Sequence, residues 1–141
     1  MPLINRDTDY AVRAMLHLGH SGEVVSVSEL AESEKAPEEF LRKIMQKLHR
    51  AGLVKSEQGP FGGYRVSKEP GRISILDILE AVQGPISLNA CFEEPDVCGN
   101  VQMCALRKRL GEFQKEMNEW FGGIMLSDLL KTMPQKGTVK S

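Results

Sequence analysis

Aromatic side chains are scarce in this 141-residue chain, at 6% of the composition. A core is still affordable at 41% hydrophobic residues, but it must rest on Leu, Ile, Val and Met. No apolar run approaches the ~20 residues that a bilayer span requires. The segment Met1–Arg6 lacks the charged-then-apolar pattern of a secretory signal, so a cytoplasmic protein without membrane attachment is expected. Cysteine occurs three times, with no C-x2-C pair, which argues against a zinc finger or ribbon. In a reducing compartment those thiols are expected to be ligands or reactive groups rather than disulfides. His17, His20 and His49 do not cluster and read as structural or surface residues. Paired acid and base groups of the kind an enzyme needs are missing. Glu93, Glu94 and Asp96 sit near cysteines, but a solvated loop explains them.

Net charge is also lacking, at −1, which argues against a uniformly basic polyanion binder. The distribution is uneven, however. Residues 1–34 hold two basic and six acidic side chains, and residues 69–104 hold one and six. Residues 35–68 hold eight basic and three acidic, a local net of +5. Binding to a polyanion depends on the local surface rather than the total.

What is present is a succession of capped amphipathic segments. A first helix is expected from about Thr8 to Gly19, capped by Asp7 or Thr8, with Ala11, Met15 and Leu18 on one face. Ser26 and Glu29 have capping-box spacing and open a short helix ending near Glu34. Lys35 and Ala36 make a tight connection, and Pro37 starts a third helix that Gly52 terminates. A short helix, a brief turn and a longer helix form a helix-turn-helix pattern. At 100° per residue, Phe40, Leu41, Ile44, Met45 and Leu48 share one face of the third helix. Glu39, Arg42, Lys43, Gln46, Lys47 and Arg50 share the other. A solvated charged face would explain that side in an arbitrary helix. Its excess of base and its place in the pattern favour DNA.

Leu53–Ser56 and Tyr64–Ser67 read as two short strands around the turn-rich segment Glu57–Gly63, so a β-hairpin wing follows the recognition helix. Ser74 and Asp77 repeat the capping spacing ahead of a helix that Gly84-Pro85 ends. A last long helix is expected from about Val101 to Phe121. Leu106, Leu110, Phe113, Met117, Trp120 and Ile124 are spaced 4, 3, 4, 3, 4 along it, an a/d seam that either packs on the core or crosses a second copy. Gly122-Gly123 should break this helix and Ser127–Met133 should form a final short one. The expected fold is mainly α: a winged helix-turn-helix domain over residues 1–84, a cysteine loop over 85–104, a C-terminal dimerisation helix region over 101–133, and a flexible tail over 134–141.

Four stretches now carry a family likeness: Asp9-Tyr10-Ala11-Val12-Arg13, the run FLRKIMQKLHRAGLV from Phe40 to Val54, the run GPFGGYR from Gly59 to Arg65, and Cys91, Cys98 and Cys104. Over roughly residues 3–132 the chain resembles the winged-helix iron–sulfur regulators that include IscR and NsrR. The resemblance implies a homodimer with crossed long helices, each protomer carrying a winged helix. It also implies an iron–sulfur cluster that tunes binding to double-stranded DNA. The cysteines are spaced C-x6-C-x5-C, one residue longer in the first interval than is usual in the family. Cys104 falls in the first turn of the predicted long helix, where the dipole favours the thiolate, and thiolates are the natural ligands of such clusters. IscR-like members supply a His three residues after the last Cys, and here Arg107 stands there, which weakens a 2Fe–2S assignment. NsrR-like members use a carboxylate from the partner's first helix, and that position matches Asp9. A 4Fe–4S cluster on Cys91, Cys98, Cys104 and Asp9 is therefore favoured, with Asp7 as runner-up ligand and 2Fe–2S possible.

On DNA, Glu39, Arg42, Lys43 and Lys47 are expected in the major groove, and Gln58, Gly59, Pro60, Phe61 and Gly62 at the minor groove. Arg50, Lys55, Arg65 and Lys68 are expected on phosphates, which position without specifying. A dimer implies a palindromic operator. The function expected is a repressor-type transcriptional regulator responding to nitric oxide, oxygen or iron status. The alternative is a cluster-free regulator of the same fold, controlled by a protein partner or by thiol oxidation.

Overall fold

The computed structural model describes residues 2–88 and 105–133. Its elements, in chain order, are α1 (Arg6–Ser21), α2 (Val27–Glu34), α3 (Glu38–Arg50), β1 (Val54–Glu57), β2 (Gly63–Val66), a short 3-10 turn (Pro70–Arg72), α4 (Ile75–Gln83), α5 (Ala105–Gly123) and α6 (Leu126–Thr132). The mainly helical, winged helix-turn-helix expectation holds, and several boundaries move for identifiable reasons.

Helix α1 begins before Thr8, because Asn5 is its cap: the Asn5 Oδ1 accepts from the Thr8 N–H at 2.9 Å. Asp7 and Thr8, expected to cap it, instead lie inside the first turn. Thr8 is fully buried, and its hydroxyl donates to the Gln83 Oε1 at 2.7 Å. The same oxygen accepts from the Asn5 N–H at 3.1 Å, while the Gln83 Nε2 donates to the Leu3 carbonyl at 3.0 Å. One glutamine thus pins the start of α1 to the end of α4.

Helices α2 and α3 end by the same device. After α2, the Ala36 N–H reaches the Ala31 carbonyl and the Lys35 N–H reaches that of Glu32. After α3, Leu53 reaches Leu48 and Gly52 reaches His49, at 3.0 Å each. Both are Schellman closures, which require a left-handed residue to turn the chain back. Gly52 meets that need at φ 78°, but at the first closure the residue is Lys35 at φ 53°. Ser26 accepts from the Glu29 N–H at 3.1 Å, so one half of the expected capping box is made. The box at Ser74 and Asp77 is complete, with bonds of 2.9 and 3.0 Å.

The two strands pair antiparallel, Val54 with Val66 and Glu57 with Gly63, each one residue away from the expected boundaries. An isolated antiparallel bridge joins the second strand at Val25, which exchanges backbone hydrogen bonds of 2.8 and 2.9 Å with Tyr64.

One apolar cluster underlies the whole. It takes Ala11, Ala14, Met15 and Leu18 from α1, Leu30 from α2, Leu41, Ile44, Met45 and Leu48 from α3, and Ile75, Ile78, Leu79 and Val82 from α4. Met117 and Phe121 of α5 and Leu126 of α6 join it, as do Val25, Ala36, Leu53, Val54, Ile73 and Ile86 from the connections and the first strand. The core is aliphatic, as the shortage of aromatics requires. Helix α5 runs through Gly122 and Gly123 instead of breaking before them. The chain then turns at Ile124 and is clipped to the start of α4, with Ile75 N–H to Ile124 O and Leu126 N–H to Ile73 O both at 2.8 Å. Helix α6 therefore begins at Leu126, not Ser127, and packs on α1.

A left-handed lysine costs about 1 kcal/mol relative to glycine at the same dihedrals. Lys35→Gly is therefore expected to raise the stability of the chain by about that amount in urea denaturation, with no change in the slope of the transition.

Candidate nucleic-acid interface and cysteine loop

The recognition-helix candidate, α3, lies beside the wing because of two contacts. The Schellman turn at Gly52 leads directly into β1, and the His49 ring meets Tyr64 of β2 edge-on at 6.3 Å. His49, expected as a structural or surface residue, is both: it is exposed, and its ring joins the helix to the wing. Its spacing in the sequence carries no hint of that, because Tyr64 is distant along the chain.

The polar face of α3 is exposed, but its charges are not equivalent. Arg42 is held between two carboxylates of its own helix, Glu38 at 2.9 Å and Glu39 at 3.1 Å. Exposed pairs of this kind contribute little, so they can be exchanged for a phosphate or a base at small cost. Lys43 and Arg50 are exposed and make no ion pair among the described residues. Lys47 departs from the face that its phase suggests. It is half-buried, and its Nζ lies 3.4 Å from the Val82 carbonyl in the last turn of α4. A helix C-terminus offers unpaired carbonyls, and a cation there is favourable.

The wing carries Lys55 and Arg65 side by side across the strands. Arg65 lies 3.8 Å from Glu57. Its tip, Gln58 to Gly62, is closed by a hydrogen bond of 3.0 Å from the Gly62 N–H to the Gly59 carbonyl. A Cβ at Gly62 would fall 2.2 Å from the Glu57 carbonyl oxygen, so this turn tolerates only glycine there. Phe61 stands at the tip, 93% exposed.

Asp9 projects from the first turn of α1 and is exposed. Its carboxylate pairs with Arg13 at 3.3 Å, and Arg13 also lies 3.9 Å from Glu34. Arg13 and Arg6 flank an aromatic pair, Tyr10 against Phe40 edge-on at 5.3 Å. The base of α1 is thereby packed on the start of α3. Cys91, Cys98 and Cys104 lie outside the described residues. Among the described residues no group of three His, Cys, Asp or Glu side chains converges as a metal site would. The fit to a cluster therefore rests on donor chemistry. Three thiols are the soft ligands an iron–sulfur cluster takes, and Asp9 is accessible, held only by an exchangeable surface pair. Arg107, half-buried in the first turn of α5, cannot ligate iron.

A helix-turn-helix whose second helix shows a polar, net basic face, followed at once by a glycine-turned wing, defines a winged-helix DNA-binding protein. The family model of Rrf2, described as iron-dependent transcriptional regulators, matches residues 4–132, and the chain belongs to that family. It is 32% identical over 134 residues to protein aau3 of Rhizobium meliloti, covering 94% of this chain and 87% of that protein. Among solved structures it is similar to IscR of T. potens, with a TM-score of 0.74 and 25% identity over 98% of this chain and 93% of that one. It is similar also to CymR, the global cysteine regulator of B. subtilis, with a TM-score of 0.75 and 25% identity over 95% of this chain and all of that one. The chain is thus a DNA-binding transcriptional regulator and not an enzyme. No helix among the described residues is long and apolar enough to cross a membrane.

The difference between the lysines of α3 is open to measurement. Lys43→Ala is expected to weaken duplex binding by about 1–3 kcal/mol and to relax base preference at the position it reads, with the melting temperature unchanged. Lys47→Ala is expected to lower the melting temperature as well, because it frees the Val82 carbonyl. Equal melting temperatures for the two variants would show that the Val82 contact contributes nothing to stability.

Proposed function

We propose that the chain works in the cytoplasm as a homodimeric repressor whose operator binding is set by an iron–sulfur cluster. The observation that carries this reading is the exposed, net basic face of α3 beside a rigid wing, in a family described as iron-dependent. Glu39, Arg42 and Lys43 would read base edges in the major groove, with Lys47 at the margin of that set. Arg50, Lys55, Arg65 and Lys68 would hold phosphates, and the tip from Gln58 to Gly62 would meet the minor groove.

Dimerisation is supported by the way α5 divides its seam. Met117 and Phe121 turn inward to α4, whereas Leu106, Phe113 and Trp120, seven residues apart, are 61%, 54% and 64% exposed. Phe113 and Trp120 line a hollow of about 390 Å³ together with Leu3 and Leu88. A stripe of this size on a helix beside the cysteine loop suits a second copy, and two copies suit a palindromic operator.

The cluster reading assigns Cys91, Cys98 and Cys104 as thiolate ligands, with Asp9 of the partner protomer as the fourth donor of a 4Fe–4S group. A cluster so held supplies an iron with a weak oxygen ligand, open to nitric oxide or oxygen. Arg13 would release Asp9 to this role and keep Glu34 as its own partner. A second reading has one observation behind it. The fold matches CymR as closely as IscR, and the His of IscR-like members is replaced by Arg107. In that case the cysteines would act by thiol oxidation, or a partner protein would control the chain.

Anaerobic reconstitution with iron and sulfide is expected to give a brown protein with about four iron atoms per protomer. Cys98→Ala should abolish the visible absorbance, and Asp9→Ala should leave a cluster that bleaches faster. A colourless wild-type protein whose DNA binding changes with peroxide would select the second reading. Trp120→Glu is expected to yield a monomer in sedimentation velocity and to cut operator affinity at least tenfold. A dimer unchanged by Trp120→Glu would exclude the α5 stripe as its interface.

A further inference from the structure

The wing tip presents a hydrocarbon ring where the rest of the interface is polar. Phe61 is the most exposed large hydrophobic among the described residues, at 93%. It does not sit on a loose loop. Pro60 restrains the backbone before it, and the Gly62 N–H closes on Gly59 directly after it. The packing of Gly62 against the Glu57 carbonyl forbids a side chain at that point, so the ring is pushed outward by a turn with little freedom. Around it the tip has no free cation. Gln58 is neutral, and the strand cations Lys55 and Arg65 stand level with each other below the tip, Arg65 lying 3.8 Å from Glu57. The tip therefore cannot read a narrow groove by charge. What the ring offers a base step is stacking and dispersion.

From this geometry we propose that Phe61 acts as an apolar wedge. It enters the minor groove, partly unstacks one base step, and bends the duplex at each flank of the operator. Apolar side chains that meet the minor groove act in this way, and the cost falls on the step that opens. Pyrimidine–purine steps open most easily, so the wedge selects a flexible step at a position where it makes no hydrogen bond. The proposal rests on the reading that the wing approaches the minor groove, and it names the mode of contact and the sequence feature that the contact would choose.

The test uses the full-length chain and duplexes enriched by it from a random pool. The wild type is expected to enrich a TA or CA/TG step at a fixed distance outside each α3 contact. 2-Aminopurine placed in that step should brighten on binding, and the bound duplex should be bent in a phasing assay. Phe61→Ala is expected to bind roughly tenfold more weakly with an unchanged salt slope, to lose the step preference and to leave 2-aminopurine quenched. Phe61→Leu should keep most of the effect. The side chain is almost fully exposed, so circular dichroism should report the same fold for all three proteins. Equal affinity and equal step preference for Phe61→Ala would overturn the wedge alone, as would a wild-type complex in which 2-aminopurine stays dark. A wild-type chain that enriches no duplex would overturn the interface reading, and the wedge with it.

Discussion

Two backbone hydrogen bonds between Val25 and Tyr64 hold the DNA-binding unit together. They join the link between α1 and α2 to the second strand of the wing, elements far apart in the chain. Next to them, Gly63 leaves room for this approach, since a Cβ there would come within 2.2 Å of the Val25 carbonyl oxygen. With Val25 fixed, Ser26 is placed to cap α2, and the closure at Lys35 then sets the angle at which α3 departs. The wing meanwhile returns to α3 through Tyr64 and His49. A helix-turn-helix and a hairpin thus become one body, which a protein that must fit a rigid groove requires.

Electrostatics on that body is more economical than the count of basic residues suggests. Arg42 carries its own counter-charges, and Lys47 serves a helix end. Among the described residues, Lys35, Lys43, Arg50, Lys55 and Lys68 of this basic block are exposed and make no ion pair, and they are distributed between helices and wing. A near-neutral chain can still bind a polyanion this way, because surface pairs yield to phosphate at little cost and local field counts for more than total charge.

Helix α4 links the DNA face to the rest of the molecule. Its start is a complete capping box, and its backbone there also receives the clip from Ile124. Its end meets Lys47 of α3 through Val82 and the start of α1 through Gln83. The cysteine loop leaves from this same end. The end of α4 is thus in contact both with α1, which bears Asp9, and with α3. Arg6 and Arg13 around Tyr10 and Phe40 give a second contact between the same two helices.

Local chemistry was largely legible in the sequence. The Ser74 box, the termination at Gly52, the apolar face of α3 and the hairpin all depend on residues within a few positions of each other, and these appear where periodicity and turn chemistry put them. The cap of α1 was misplaced by that logic. Asp7 and Thr8 are good capping residues, and only the presence of Gln83 explains why Thr8 is drawn into the core and Asn5 takes the cap. The a/d seam was visible as a spacing, but spacing could not tell which of its members turn inward, because that depends on where α4 lies. The same holds for Lys47, whose partner, the Val82 carbonyl, lies on another helix, whereas the partners of Arg42 are Glu38 and Glu39 of its own helix, at a spacing the sequence already shows. What the sequence by itself determined was the set of elements and the side of each that is apolar or basic, since these follow from neighbours along the chain. Tertiary structure alone decided which charges remain free, which glycines are obligatory and which apolar residues stay uncovered. Those depend on groups far apart in sequence that meet only when the core closes.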